Sequence, residues 1–320
     1  MKRLDHYWYD DNAVARLLAP LSWLFCTLAM LRRTAYRCGW RRAERVGVPV
    51  VVVGNITVGG SGKTPVVVWL VDYLRRHGKR VGVVSRGYGG QAPHWPQPVD
   101  AASDPAMVGD EPVLIARRTG VPLAVGPDRV AAARFLLARH ELDVIVSDDG
   151  LQHYRLARDV EVAVVDGRRG LGNGRCLPAG PLRERPSRLA HVDVVVTNGG
   201  DAPDAVRLEG ALLVNLRDDR QQALSALGGS RVHGVAAIGD PRRFFATLAA
   251  AGLTVVEHAF PDHHPFRAED LAFGDGLPVV MTEKDAVKCT GFASENHWYL
   301  PVEARVPEAV GRHILDLIER

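Results

Sequence analysis

The sequence reads as an α/β protein: a mostly parallel sheet with flanking helices, then a smaller α/β C-terminal domain, with an apolar N-terminal helix ahead of both. Three observations lead there. From residue 49 onward, short β-branched runs alternate with helical stretches, the pattern of a sheet covered on both faces by crossover helices. A Gly-Gly-Ser stretch at 228–230 is followed by a second, smaller set of strands. Residues 13–31 form an apolar run interrupted by a single charge. At 320 residues, with 47% hydrophobic and 24% charged side chains, the chain is long enough for about two domains, too apolar for disorder and too polar for many membrane spans.

The N-terminal segment, 1–45, is basic. It holds Lys2, Arg3, Arg16, Arg32, Arg33, Arg37, Arg41, Arg42 and Arg45 against Asp5, Asp10, Asp11 and Glu44, a net +5 in a chain whose total is +3. Trp8, Tyr9 and Trp23 supply aromatics that suit a membrane interface. A cleaved signal peptide carries its positive charges before the apolar run, whereas here Asp10 and Asp11 precede it and the arginines follow. With Arg16 and Pro20 inside it, the run is marginal against the roughly 20 apolar residues of a full span. It is expected to lie in an interface or pack on a partner, the alternative being a helix docked on its own domain. Contact with lipid would leave the remainder of the chain in the cytoplasm, because the arginines follow the run. Cys26, Cys38, Cys176 and Cys289 form no C-x-x-C pair, which excludes a disulfide scaffold or zinc ribbon and suits a reducing cytoplasm. The near-balanced charge gives no argument for nucleic acid.

The core, 46–226, carries strand patterns at 50–53, 81–84, 144–146, 162–165 and 192–196, with helical stretches at 65–76 and 128–140 between them. Residues 167–188, rich in Gly, Pro and Arg, are too long for a plain connector and are expected to be functional. The smaller domain, 227–320, has strand patterns at 234–238, 253–257, 278–281 and 297–300.

Residues 50–65, VVVVGNITVGGSGKTP, are a buried strand running through a glycine-rich loop into a helix. That is the context of a P-loop. Backbone N–H groups of Thr57, Val58, Gly59, Gly60, Ser61 and Gly62 would cradle phosphates, Lys63 would reach the β- and γ-phosphates, and Thr64 would hold Mg²⁺. The first glycine of G-x-x-x-x-G-K-[ST] falls on Thr57, a departure from the pattern. A dinucleotide-binding G-x-G-x-x-G is excluded, because counting from Gly60 or Gly87 ends on Pro65 or Ala92. The strand 142–149, LDVIVSDD, ends in Asp148 and Asp149, carboxylates for the metal at the same sheet edge; alone, Asp-Asp-Gly would read as a turn.

Other motifs are weaker singly. VSRGYGG at 84–90 has Gly90 and Gln91 where an RNA-binding pattern needs aromatic and aliphatic residues. In VGDEP at 108–112, Asp110 reads either as a helix N-cap or as a general base. FPDHHPF at 260–266 suggests a histidine tuned by Asp262 rather than a metal pair. In TEKD at 282–285 the lysine sits one position late for guanine reading.

Taken in order, the apolar helix, VVVGNITVGGSGKTP, VSRGYGG, VGDEP, SDDGLQHYRL, PAGPLRE, FPDHHPF and TEKDAVK resemble the tetraacyldisaccharide 4′-kinase family, the lipid A kinases of Gram-negative bacteria, nearly end to end. Thr57 is what that family's loop looks like. The resemblance implies transfer of the ATP γ-phosphate, with Mg²⁺, to the 4′-hydroxyl of an acylated glucosamine disaccharide 1-phosphate at the cytoplasmic face of the inner membrane, forming lipid IV-A. It implies Lys63 and Thr64 on phosphates and metal, Asp148 and Asp149 completing the metal site, and Asp110 paired with His263 as base. His153 and Glu184 would line the site, with Arg86, Tyr88, Arg129 and Arg183 contacting substrate phosphate or nucleotide. Because Asp110 and His263 fall in different domains, domain closure is expected to assemble the base. No nucleic acid and no obligate protein partner is expected. A membrane-attached nucleotide switch is the alternative that the P-loop alone leaves open.

Overall fold

The computed structural model describes residues 4–200 and 205–320, so Lys2 and Arg3 of the basic segment lie outside the described residues. A short 3-10 helix at Leu4–Tyr7 precedes helix α1 (Ala13–Arg37), which is capped by the Asn12 side chain accepting from Ala15 N. The chain then alternates strand and helix: β1 (Val50–Gly54), α2 (Lys63–Arg76), β2 (Val81–Ser85), β3 (Gln97–Val99), α3 (Pro105–Val108), α4 (Asp110–Thr119), β4 (Leu123–Val125), α5 (Arg129–Leu137), β5 (Val144–Asp148), β6 (Val160–Asp166) and β7 (Val194–Asn198). These strands form one sheet in the order β3-β4-β2-β5-β1-β6-β7, parallel except where β3 runs against β4. The central strand β1 is Val-Val-Val-Val-Gly because both its faces are buried. Val51 and Val53 pack with α2 and α4 on one face, while Val50 and Val52 pack with α5 and Leu182 on the other.

The second half comprises β8 (Arg207–Glu209), β9 (Leu212–Asn215), β10 (Gln221–Ala223), β11 (Arg231–Ala236), α6 (Pro241–Ala250), β12 (Thr254–Ala259), β13 (Val279–Thr282), α7 (Glu283–Cys289), β14 (His297–Leu300), β15 (Glu303–Arg305) and α8 (Glu308–Ile318). A second sheet has the order β10-β9-β14-β13-β11-β12, with β9 and β10 antiparallel additions to a parallel centre. Two features differ from the segmentation at 226/227. The second sheet already takes in β9 and β10, upstream of 227, because their apolar inner positions such as Leu213 join its core. At the other end, α8 returns to the first domain: Ile314 is fully buried in that core, Gly311 lies against the Tyr73 ring, and Tyr73 Oη donates to Glu308 at 2.9 Å.

Helix α1 extends six residues beyond the apolar run, to Arg37, with Pro20 in its interior. Only Ala15, Ser22 and Cys26 on it are buried. That stripe seats on the 167–188 segment, where Ser22 Oγ donates to Cys176 O at 2.7 Å and the Cys26 and Cys176 sulfurs are 2.7 Å apart as free thiols. The helix is thus docked on its own domain along that narrow stripe, while Leu17, Leu21, Trp23, Leu24, Leu28 and Leu31 on its other faces are all exposed.

Candidate active site

Strand register sets the site. Val53 pairs with Asp148, so the loop leaving Gly54 emerges beside the carboxylates that end β5. Asn55, fully buried, organises that loop through Nδ2, which donates to Ser61 Oγ at 3.1 Å and to Thr57 Oγ1 and Gly59 O at 3.4 Å. Gly59 and Gly62 occupy left-handed backbone, with φ of 99° and 79°, and a Cβ on Gly62 would collide with Asn198 at the end of β7. Thr57 stands outside the left-handed region and makes an antiparallel bridge with Leu182, and Val58 N donates to Pro181 O at 2.8 Å. Position 57 therefore needs no glycine: the 167–188 segment braces this loop from outside.

Helix α2 starts at Lys63 itself, with Gly62 as N-cap, so Lys63 and Thr64 stand in its first turn at the loop's mouth. Lys63 Nζ lies 3.4 Å from Asp149 Oδ1, and Arg183 Nη1 lies 3.1 Å from Asp149 Oδ2. Burial works against the Asp149 charge, but Lys63 and Arg183 outweigh it and hold the carboxyl down to about 2. Asp148 is in the opposite condition. It is fully buried, its Oδ2 accepts from Ser85 Oγ at 2.9 Å, and its Oδ1 has no partner among the described residues. Burial, then the Glu111 and Asp149 charges, push its carboxyl well above the usual range. An orphaned buried carboxylate oxygen in the neighbourhood of Lys63 and Asp149 is the donor chemistry that a hard divalent cation such as Mg²⁺ satisfies.

The second half of the site is an acid–histidine pair. Asp110 is buried at the first position of α4, and the N-cap is Gly109, so the capping alternative does not hold. Its Oδ2 lies 3.0 Å from His263 Nδ1 on the loop after β12. The pair is hydrogen-bonded in this structure, which corrects the expectation that domain closure must first assemble it. Burial opposes the Asp110 charge, yet the His263 bond and Lys284 leave its carboxyl below the usual value; His263 is raised by the same bond. Asp262 faces Lys284 at 3.4 Å, and the Tyr88 ring, exposed on the loop after β2, lies 5.2 Å from the His263 ring. The two halves meet at Gly239, where a Cβ would sit 3.0 Å from Gly60 N and 3.8 Å from Asp262 Oδ2.

The remaining expected residues divide. Arg129, buried at the start of α5, reaches the Asp149 carbonyl at 3.5 Å, and its Nε has no partner among the described residues. Burial and the Arg86 charge bring its guanidinium down to about 10. His153 is kept neutral, at about 4, by burial and Arg129. Arg86 is exposed at the end of β2. Glu184 lies deeper than a lining residue: buried, it accepts from Gln152 at 2.8 Å and Tyr154 at 2.5 Å and pairs with Arg188, so it anchors the segment that presents Arg183. Sequence reasoning missed Asn55, Ser85, Asn198, Lys284 and Lys288. The last two are four residues apart on a helix capped by Thr282, a spacing legible in TEKDAVK once its helix is known.

A parallel sheet that brings a glycine loop with its lysine and a pair of carboxylates to one edge makes the chain a P-loop protein, and an acid–histidine pair facing that loop suits phosphoryl transfer to a hydroxyl rather than hydrolysis alone. The family model described as Tetraacyldisaccharide-1-P 4'-kinase matches residues 14–319, and the chain belongs to that family. Curated relatives named tetraacyldisaccharide 4'-kinase include one from Alkalilimnicola ehrlichii, 57% identical over 99% of this chain and 96% of its own length. Another, from Nitrosococcus oceani, is 51% identical over 98% and 94%. A crystal structure of LpxK from Aquifex aeolicus, titled an "apo" form in complex with ATP, matches with a TM-score of 0.80 at 28% identity, covering 95% of this chain and 99% of that one.

Proposed function

We propose that the chain transfers the γ-phosphate of ATP to the 4′-hydroxyl of a tetraacylated glucosamine disaccharide 1-phosphate, yielding lipid IV-A, at the cytoplasmic face of the inner membrane. The observation that carries this reading is the 3.0 Å Asp110–His263 pair on the far side of Gly239 from the phosphate loop. A nucleotide switch has no use for a buried base there.

The loop from Thr57 to Gly62 and Lys63 hold the triphosphate, their N–H groups and ammonium facing the charge that moves in transfer. Thr64 and Asp148 are the residues to hold Mg²⁺, because Asp149 already shares both its oxygens with Lys63 and Arg183. When bound, the ion neutralises phosphate charge. Asp110, ionised and oriented by His263, accepts the proton of the sugar hydroxyl as its oxygen attacks phosphorus. Arg183 and Arg129 at Asp149, Arg86 at the end of β2 and Tyr88 at His263 are the groups to hold acceptor phosphate or nucleotide, with the neutral His153 in the field of Arg129. Helix α1, with its exposed leucines and trailing arginines, brings this edge to the lipid surface on which an acylated acceptor resides.

Asp110→Asn keeps the shape and removes the base. Its kcat is expected to fall on the order of 10²- to 10⁴-fold with ATP affinity retained; unchanged turnover at saturating substrates would show that Asp110 is not the base.

A further inference from the structure

The Asp110–His263 pair does not stand alone. Lys284, on α7 in the second domain, places its Nζ 3.5 Å from His263 Nε2, 4.0 Å from Asp110 Oδ2, 3.1 Å from Glu111 Oε1 and 3.4 Å from Asp262 Oδ1. Its side chain is mostly buried, and three carboxylates keep its ammonium charged against that burial. An ammonium has only donors, so the nitrogen it faces must offer a lone pair. When His263 is neutral, that contact favours the tautomer with its proton on Nδ1, aimed at Asp110, against the Asp262 carboxylate 3.8 Å from Nε2.

Resting on the proposed role of Asp110 as base, we infer that Lys284 is a positioning residue that fixes His263 as an Nδ1–H donor and keeps Asp110 ionised, ready for the hydroxyl proton. The groups facing the pair come from four elements. Glu111 is on α4 beside Asp110; Asp262 is on the histidine's own loop; Lys284, Asp285 and Lys288 are on α7; Tyr88 is on the loop after β2. Lys288 lies 4.0 Å from Asp110, but its nearer partner is the buried Asp285 at 2.7 Å, which leaves Lys284 as the cation addressing both members of the pair.

Removing the Lys284 charge lets the carboxyl of Asp110 and the imidazole of His263 both rise. The acidic limb of activity then moves to higher pH.

The test measures the pH profile of kcat/KM for the full-length Lys284→Met enzyme in transfer to detergent-dispersed tetraacyldisaccharide 1-phosphate, alongside binding of ATP. The limb is expected to move up by on the order of one pH unit, with ATP affinity within about twofold of wild type and the profile restored by Lys284→Arg. A lower kcat with an unmoved limb, or no change at all, overturns the inference. Lys284→Gln, which keeps a donor for Glu111, is read the same way if Lys284→Met does not fold; failure of both to fold also overturns it, since Lys284 would then be a strut. Asp110→Asn separates the two readings. Activity retained there removes the base assignment itself, whereas loss there with an unmoved Lys284→Met limb removes only the role of Lys284.

Discussion

At the scale of single residues, backbone strain gathers at the candidate site. Asp149, Asp219 and His263 are the non-glycine residues with left-handed φ among the described residues, at 47°, 57° and 62°. Two of the three are site residues, each held at a cost of roughly 1–3 kcal/mol that the surrounding contacts must offset. The Asp110–His263 bond is one such contact, and it makes stability depend on pH. His263 binds its proton more tightly folded than unfolded, so its share is complete below the ordinary histidine value of 6.5 and is lost as pH rises through the raised folded value. Asp110 acts in the other sense: its share is present above the ordinary 3.8 and is lost as pH falls toward the lowered folded value. The advantage in Tm of wild type over His263→Ala is therefore expected to peak between about pH 4 and 6.5 and to shrink on both sides; thermal unfolding across pH 3–9 checks it, and a constant difference contradicts it. Lys63, Thr64, Asp148 and Asp149 were legible in the sequence because each belongs to a local strand-loop pattern. The pairing of Asp110 with His263, 153 residues apart, was not legible in any local pattern and came only from resemblance. Lys284 was passed over because its neighbours, Glu111 and Asp262, come from two other segments.

At the scale of elements, α1 and the 167–188 segment belong together. The segment was expected to be functional because of its length and composition, and it proves to brace the phosphate loop at Thr57 and Val58, present Arg183, and seat α1 through Cys176. Opposite that seat, Leu17, Leu21, Leu24 and Leu28 follow one another at helical spacing along an exposed stripe. Replacing the four with Gln is expected to abolish co-sedimentation with vesicles containing anionic lipid while ATP binding persists, since none of the four packs on the site. Sedimentation as strong as wild type would show that this stripe is not the membrane face. The apolar run announced α1, whereas β3, β8, β10 and β15, three residues each, carry too little periodic pattern to be read. The last helix was missed for another reason: its apolar face is ordinary, but the partner it covers, Tyr73, lies 235 residues away.

At the scale of the molecule, two sheets share one site because their carboxyl edges converge. The first supplies the phosphate loop and the Asp148–Asp149 pair, the second supplies Asp262, His263 and Lys284, and Gly239 touches both. The alternation of strands and helices made the architecture legible. The division at 226/227 was less so, because sheet membership depends on long-range pairing of β9 with β14 rather than on composition. The central claim is that this shared edge passes phosphate to a lipid-borne sugar hydroxyl. The most direct measurement follows γ-labelled phosphate from ATP, with Mg²⁺, in the presence and absence of detergent-dispersed tetraacyldisaccharide 1-phosphate, for the native chain and Lys63→Ala. Label recovered in the lipid only with the native chain, with little free phosphate when the acceptor is left out, is the predicted result. Free phosphate released at the same rate with and without acceptor, and no labelled lipid, would contradict it.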